Sequence, residues 1–237
     1  MNLHLRRTLP SIALCVAVAP IFAQSSTQQP VPALRTARAF DRTPAVWAAS
    51  SVLLAASFVF DERLRQVALA SHARSLDRIA AGADVLATAG HIVPALAATY
   101  IGARAFGGSS FANAVLRVGL SYAAADAVES LLKPAVGRVR PDLGREPLTF
   151  RPFSTTGDYQ SFPSAHVVHI ASLASAVAME AHRPWVTALT SVAVTYVGVQ
   201  RVYRDQHWSS DVVASGMLGV EVARLADTWL RGRRQRS

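Results

Sequence analysis

Three short stretches hold residues whose types and spacing suit the handling of a phosphate group. The first, K-P-A-V-G-R-V-R-P from Lys133 to Pro141, carries the only lysine of the chain together with Arg140. Every other fixed side-chain cation is an arginine, and a compact ammonium differs physically from a planar guanidinium fork, so a lone lysine invites a functional reading. The second stretch is Pro163–Ser164–Ala165–His166, and the third is R-V-Y-R-D-Q-H-W-S-S-D from Arg201 to Asp211. Phosphoryl transfer needs a nucleophile in line, a proton for the leaving oxygen and positive charge around the equatorial oxygens. His207 and Asp211 are four apart. On a helix they share a face, so the carboxylate accepts Nδ1–H, leaves Nε2 free to attack and steadies the cation formed on phosphorylation. His166 would protonate the departing alkoxide and then activate water, help worth roughly 10²–10⁴-fold. Ser164 and the first N–H groups of the helix it opens, Ala165 included, make an anion site, because a helix start presents unpaired donors. Arg140 and Arg201 can each hold phosphate oxygens bidentately, and Lys133 adds a point charge.

Order and spacing of these residues resemble the type-2 phosphatidic acid phosphatase superfamily, which includes bacterial class A acid phosphatases and vanadium haloperoxidases. The family pattern is K-x6-R-P, then P-S-G-H, then S-R-x5-H-x3-D. Lys133, Arg140 and Pro141 match the first block, Pro163, Ser164 and His166 the second, and Arg201, His207 and Asp211 the third. Ala165 stands for the glycine and Gln200 for the serine. Alanine keeps the backbone N–H and loses only access to positive φ, which a helix start does not need. The resemblance implies an all-α bundle of the acid phosphatase/vanadium haloperoxidase kind, embedded in a membrane. It also implies a metal-independent phosphatase without cofactor, acting on a phosphate monoester or pyrophosphate through a phosphohistidine. A lipid-linked substrate is implied, such as phosphatidic acid, phosphatidylglycerol phosphate or undecaprenyl pyrophosphate, or else a small phosphoester. Two alternatives remain: a vanadium-dependent haloperoxidase with His207 ligating vanadate, and a non-catalytic membrane protein retaining the fold.

Plainer readings stand beside these. Glu129 and Lys133, at i and i+4, suit an ordinary helix ion pair. His166 and His169, three apart, would make a poor zinc site without a nearby carboxylate or cysteine. His91 and His182 read as structural, Tyr203 and Trp208 as packing, and Arg138 and Arg204 as solvated or standing behind the site. Asp205 lacks the register to compete with Asp211.

The elements that must position these groups are helical. Apolar, alanine-rich runs over 44–60, 79–106, 111–133, 164–181, 185–199 and 208–230 are too long for strands and predict a bundle of about six helices. Pro134 biases Lys133 away from helical geometry, so the third helix is expected to end there. The stretch from Pro134 to Pro163 holds five prolines and three glycines, and a loop this long inside a helical domain is usually functional.

The chain has 237 residues, 51% of them hydrophobic, 16% charged, with a mean hydropathy of +0.25. That suits one domain and leaves the membrane question to the pattern. A net charge of +9 raises nucleic acid, but the arginines are scattered and no nucleic-acid motif accompanies them, so no nucleic-acid partner is expected. Residues 1–23 read as a signal peptide, with Arg6 and Arg7 before an apolar stretch that holds the single cysteine, Cys15. A polar linker follows over 24–43, then a helical phosphatase domain over 44–230 and a basic tail over 231–237. Charges such as Arg117, Asp126, Glu129, Glu221, Arg224 and Asp227 are costly in lipid unless they face the bundle interior. Five spans, with 44–60 packed beside them, would put the three motifs on the periplasmic side of a bacterial inner membrane. A soluble periplasmic bundle is the alternative.

Overall fold

The computed structural model describes residues 43–234. The signal peptide and nearly all of the linker expected before Thr43 lie outside the described residues, as does the end of the basic tail.

The described chain is all-α. Helix α1 spans Thr43–Ala70, α2 Arg74–Ala87, α3 Ala89–Gly102, α4 Gly108–Val136, α5 Ala165–Ala181, α6 Pro184–Tyr203 and α7 Ser209–Arg234. A single π-helical segment, Ala103–Gly107, joins α3 to α4. Among the described residues, one isolated antiparallel bridge pairs Arg138 with Phe150.

Three boundaries differ from the sequence expectation, each for a local reason. α1 runs ten residues past the apolar stretch, because the mostly charged or polar residues from Asp61 to Gln66 are compatible with helix. The run expected over 79–106 divides at Thr88, which is extended and turns both its N–H (3.1 Å) and its Oγ1 (2.6 Å) onto the carbonyl of Asp84. α4 carries through Pro134 to Val136, so Lys133 sits in its last turn rather than after it. A proline that close to a C-terminus costs one ladder bond in a turn that is already ending.

α5 forms the centre. It packs against α7, α6, α4 and α2, and Val167, Val168, Ala171, Ser172 and Ala178 along it are buried. Small residues permit the close approach: a Cβ added at Gly219 of α7 would lie 2.6 Å from the carbonyl oxygen of Val168 and 2.8 Å from Ala171 Cβ. α1 lies across α7 and α6.

Several charges within the helices are paired. Arg117 of α4 grips Glu180 of α5 at 2.6 and 2.5 Å, Arg231 meets Asp227 at 2.8 Å, and Arg224 meets Glu221 at 3.3 Å. The outer faces are apolar: Val59 is 79% exposed and Phe106 94%. Among the described residues, one helix, Pro44–Ala70, is by itself long and apolar enough to cross a membrane. α2 taken with Ala89–Val136, bent by 49°, would make a second. Length and apolarity thus single out the helix that the five-span expectation had left outside the membrane.

Candidate active site

Gly137 begins the site. It ends α4 in the left-handed conformation (φ 61°), its N–H bonds Lys133 O at 3.0 Å, and any side chain there would run into the carbonyl oxygen of Arg151. Only glycine reaches this conformation without cost. The chain then folds back on itself: Arg151 N–H donates to Gly137 O (2.6 Å), Arg140 N–H to Asp158 O (2.9 Å) and Ser161 N–H to Arg138 O (3.0 Å). These bonds carry Ser161 to the start of α7 and Ser164 to the start of α5.

His207 lies in the segment between α6 and α7 and is 4% exposed. Its Nδ1 is 2.6 Å from the carbonyl oxygen of Ser161. A carbonyl only accepts, so Nδ1 carries the hydrogen and Nε2 keeps its lone pair. Burial, and next the positive fields of Arg140, Lys133 and Arg201, hold the ring's pKa well below the ordinary 6.5 and keep it neutral, the Ser161 carbonyl opposing in part. Arg201 and Lys133 also act electrostatically on His166, at the start of α5, so the two histidines share these cationic neighbours.

Asp211 is placed differently from the expectation. His207 precedes the first helical residue by two, so the two side chains do not share a helix face; Asp211 Oδ2 stands 3.9 Å from Nδ1. The carboxylate instead receives the Trp208 N–H (3.0 Å), the Ser161 hydroxyl (2.5 Å) and Arg138 Nη1 (2.5 Å). It therefore acts on the ring through Ser161, whose carbonyl holds Nδ1 while its hydroxyl holds Asp211.

Arg138 was read as solvated or as standing behind the site, and it is wholly buried there. Its guanidinium donates to Asp211, to Ser210 Oγ (2.7 Å), to Pro147 O (2.9 Å) and to Asp61 Oδ2 (2.8 Å). Asp61, from α1, also accepts from Ser209 Oγ (2.7 Å), Ser210 N–H (2.8 Å) and Ser210 Oγ (2.6 Å), satisfying donors at the start of α7. Asp61 and Ser161 escaped the sequence reading. Asp61 had one signal, a carboxylate directly after an apolar run; Ser161 had none.

The cations around the ring are held by neighbours. Arg140 Nε donates to Gly157 O (2.9 Å) and Nη1 to Gln206 O and Oε1 (3.2 and 3.1 Å). Lys133 makes the i,i+4 ion pair with Glu129, as its plainer reading had it. Arg201 is paired with Asp84 of α2 and with Gln200. Ser164 caps α5 with its carbonyl, which accepts Val168 N–H at 2.9 Å, while its N–H donates to Ser215 Oγ (2.7 Å). Its own hydroxyl is buried and has no hydrogen-bond partner among the described residues. Ala165 opens the helix and is absent from the positive-φ residues, so replacing the family's glycine costs the backbone nothing there.

With these residues in place, the sequence profile of the PAP2 superfamily matches residues 114–235, just over half of the chain. This protein belongs to that superfamily. Two curated relatives are lipid A 1-phosphatases. The one from Rhizobium etli is 33% identical over 141 residues, covering 59% of this chain and 54% of its own. The one from Rhizobium johnstonii is 35% identical over 92 residues, covering 38% and 37%. The chain thus spans about half the length of the first and less of the second. Among solved structures, a transmembrane PAP2-type phosphatidylglycerolphosphate phosphatase from Bacillus subtilis superposes with a TM-score of 0.59 at 21% identity, over 94% of this chain and 96% of that one. At that identity the likeness shows the PAP2 fold.

The remaining candidates of this PAP2 chain have structural partners. Asp205 pairs with Arg65 at 2.7 and 2.9 Å. Tyr203 stacks on His72, and Trp208 is buried with its indole N–H on Val139 O (2.9 Å), so both pack. His182 ends α5 in the left-handed conformation. The expectation that His169 lacks a nearby carboxylate is corrected: Asp126, Glu129 and His169 bring three metal-capable atoms within 4.8 Å of one another, because α4 packs along α5 there. Glu129 already holds Lys133, and His169 Nε2 lies 2.8 Å from Asp126 Oδ1, though off the line of an N–H bond. An ammonium beside the group makes it a poor cation site.

Proposed function

We propose that the chain is a metal-independent phosphatase that carries phosphate on His207 and acts on phosphorylated lipids. The observation that carries the reading is the buried His207 with its Nδ1 held on the Ser161 carbonyl and its Nε2 left free, in the positive field of Arg140, Lys133 and Arg201. Its Nε2 lone pair attacks phosphorus, the ester P–O bond breaks, and His166, protonated once the anionic phosphate is bound beside it, gives its proton to the leaving oxygen. His166 then takes a proton from water as that water attacks phosphorus; the P–N bond breaks, inorganic phosphate leaves, and both histidines return to their starting state. Lys133, Arg140, Arg201, the orphaned Ser164 hydroxyl and the first N–H groups of α5, from Ala165 on, hold the phosphate oxygens. Asp211 steadies the phosphorylated ring through Ser161 and by its charge. Removing one such donor costs on the order of 3 kcal/mol in the transition state.

A lipid-linked substrate is supported by the names of the two Rhizobium relatives and by the apolar outer faces. We place the protein in a bacterial inner membrane with the site facing the periplasm. The test is a panel on detergent-purified protein: lipid A 1-phosphate, phosphatidic acid, phosphatidylglycerol phosphate, undecaprenyl pyrophosphate and a soluble monoester, each beside His207→Ala. Wild type should release phosphate from at least one lipid, yield an acid-labile protein-bound phosphate on rapid quench, and keep its rate in EDTA. His207→Ala should do neither of the first two. A wild type inert on the whole panel, or strictly dependent on added Mg²⁺, overturns the proposal.

A further inference from the structure

The family's serine before the site arginine is Gln200 here, and the structure gives that replacement a task. Gln200 Oε1 accepts from Arg201 Nε at 2.5 Å, while its Nε2 donates to Asp84 Oδ1 at 3.1 Å. Asp84 Oδ1 in turn receives Arg201 Nη2. A three-membered ring of polar contacts thus joins α2 to the end of α6. A serine hydroxyl is too short to bridge both partners; the longer amide reaches them.

The edge of the guanidinium that is engaged matters. Nε and Nη2 lie on one side of the fork, the edge by which Arg65 takes Asp205 and Arg117 takes Glu180 in this same molecule. Gln200 and Asp84 occupy that side edge of Arg201 and leave Nη1, with the outer N–H of Nη2, making none of these bonds. That remaining edge is itself a bidentate donor pair suited to a phosphate. Asp84 lies before residue 114, outside the stretch that matches the superfamily profile.

We infer that Asp84 and Gln200 are positioning residues that hold Arg201 by its side edge and present its end edge to the substrate phosphate. The inference rests on the phosphatase reading above. Arg201 is nearly buried, with 9% of its side chain exposed, and its long stem would otherwise sample many rotamers; two acceptors on one edge fix the plane of the fork before substrate arrives. Asp84 keeps 43% of its side chain in solvent, so it can serve as a counter-ion without being sealed beneath the phosphate.

The experiment measures kcat/KM and the inhibition constant of vanadate for the full chain in detergent, with Asp84→Asn, Asp84→Glu, Gln200→Ser, Arg201→Ala and Asp84→Asn combined with Arg201→Ala. Asp84→Asn should lower kcat/KM and raise the vanadate constant by the same factor, about tenfold, the loss expected on removing a charged hydrogen-bond partner. Asp84→Glu should recover most of both. Laid on Arg201→Ala, Asp84→Asn should add less than about twofold, because a residue acting only through another shows full coupling in the cycle. Equal losses in both arginine backgrounds overturn the inference, and so does tighter vanadate binding by Asp84→Asn, which would make Asp84 a competitor of the phosphate. If Asp84→Asn does not fold, Gln200→Ser against Arg201→Ala makes the same comparison. A wild type without phosphatase activity sinks the underlying reading; an active wild type with an additive cycle sinks only the positioning role.

Discussion

At the scale of single residues, the proposed chemistry turns on which nitrogen of His207 holds the hydrogen. The Ser161 carbonyl decides it, because an acceptor at Nδ1 forces the lone pair onto Nε2. The identities of His207, His166, Arg140, Arg201 and Lys133 were legible in the sequence, since their spacing is itself the motif. The partner of Nδ1 was not. A backbone carbonyl has no sequence identity, and only the folding of the 137–163 loop brings this one to the ring. Burial of a neutral imidazole has a cost that shows with pH. The folded-state pKa lies below 6.5, so on acidification the unfolded chain takes the proton first. Stability from this group is full above 6.5 and is lost as pH falls below it towards the folded-state pKa. The unfolding midpoint of the wild type should therefore decline between about pH 7 and pH 5, and decline less in His207→Gln, which cannot titrate. Parallel slopes for the two proteins would show that the ring is not held neutral by the fold.

At the scale of elements, the site depends on a helix remote from it in sequence. Asp61 of α1 ties Arg138 to the donors that open α7, and Arg138 ties both to Asp211. All three charges are buried, an arrangement stable only while every partner is present. Asp61→Ala should lower unfolding free energy by about 3–5 kcal/mol, because it strips Arg138 and three donors at the start of α7 of a partner at once. Asp61→Asn should cost less. Chemical denaturation in a fixed detergent measures both, and a loss under about 1 kcal/mol for the alanine variant would mean that water or Asp211 replaces the lost carboxylate. Five of the six expected runs became helices near their expected places, because long apolar runs reveal burial. The break at Thr88 and the continuation through Pro134 were hidden for opposite reasons. Thr88 is not a usual helix breaker and acts by turning onto Asp84, whereas Pro134 is a breaker placed where its damage is small.

At the scale of the whole molecule, paired charges on the helices and apolar outer faces suit a bundle embedded in a membrane. Arg117 with Glu180 and Arg231 with Asp227 neutralise groups that hydrocarbon would penalise, while Val59 and Phe106 lie outermost. Hydropathy of single runs could not reveal this, because alanine dilutes every run and the pairing links distant helices. Orientation follows from which end of α5 carries the site. His166 stands at its start and His182 at its end, about 25 Å apart at the rise of a helix. On the Cys15→Ser background, Leu148→Cys marks the exposed loop at the site end and His182→Cys the exposed far end. A membrane-impermeant maleimide added to spheroplasts should label Leu148→Cys and spare His182→Cys until the membrane is opened. Labelling of His182→Cys alone would put the site on the cytoplasmic side. Immediate labelling of both, with release of the protein by alkaline wash, would mean that the apolar faces meet another protein rather than lipid.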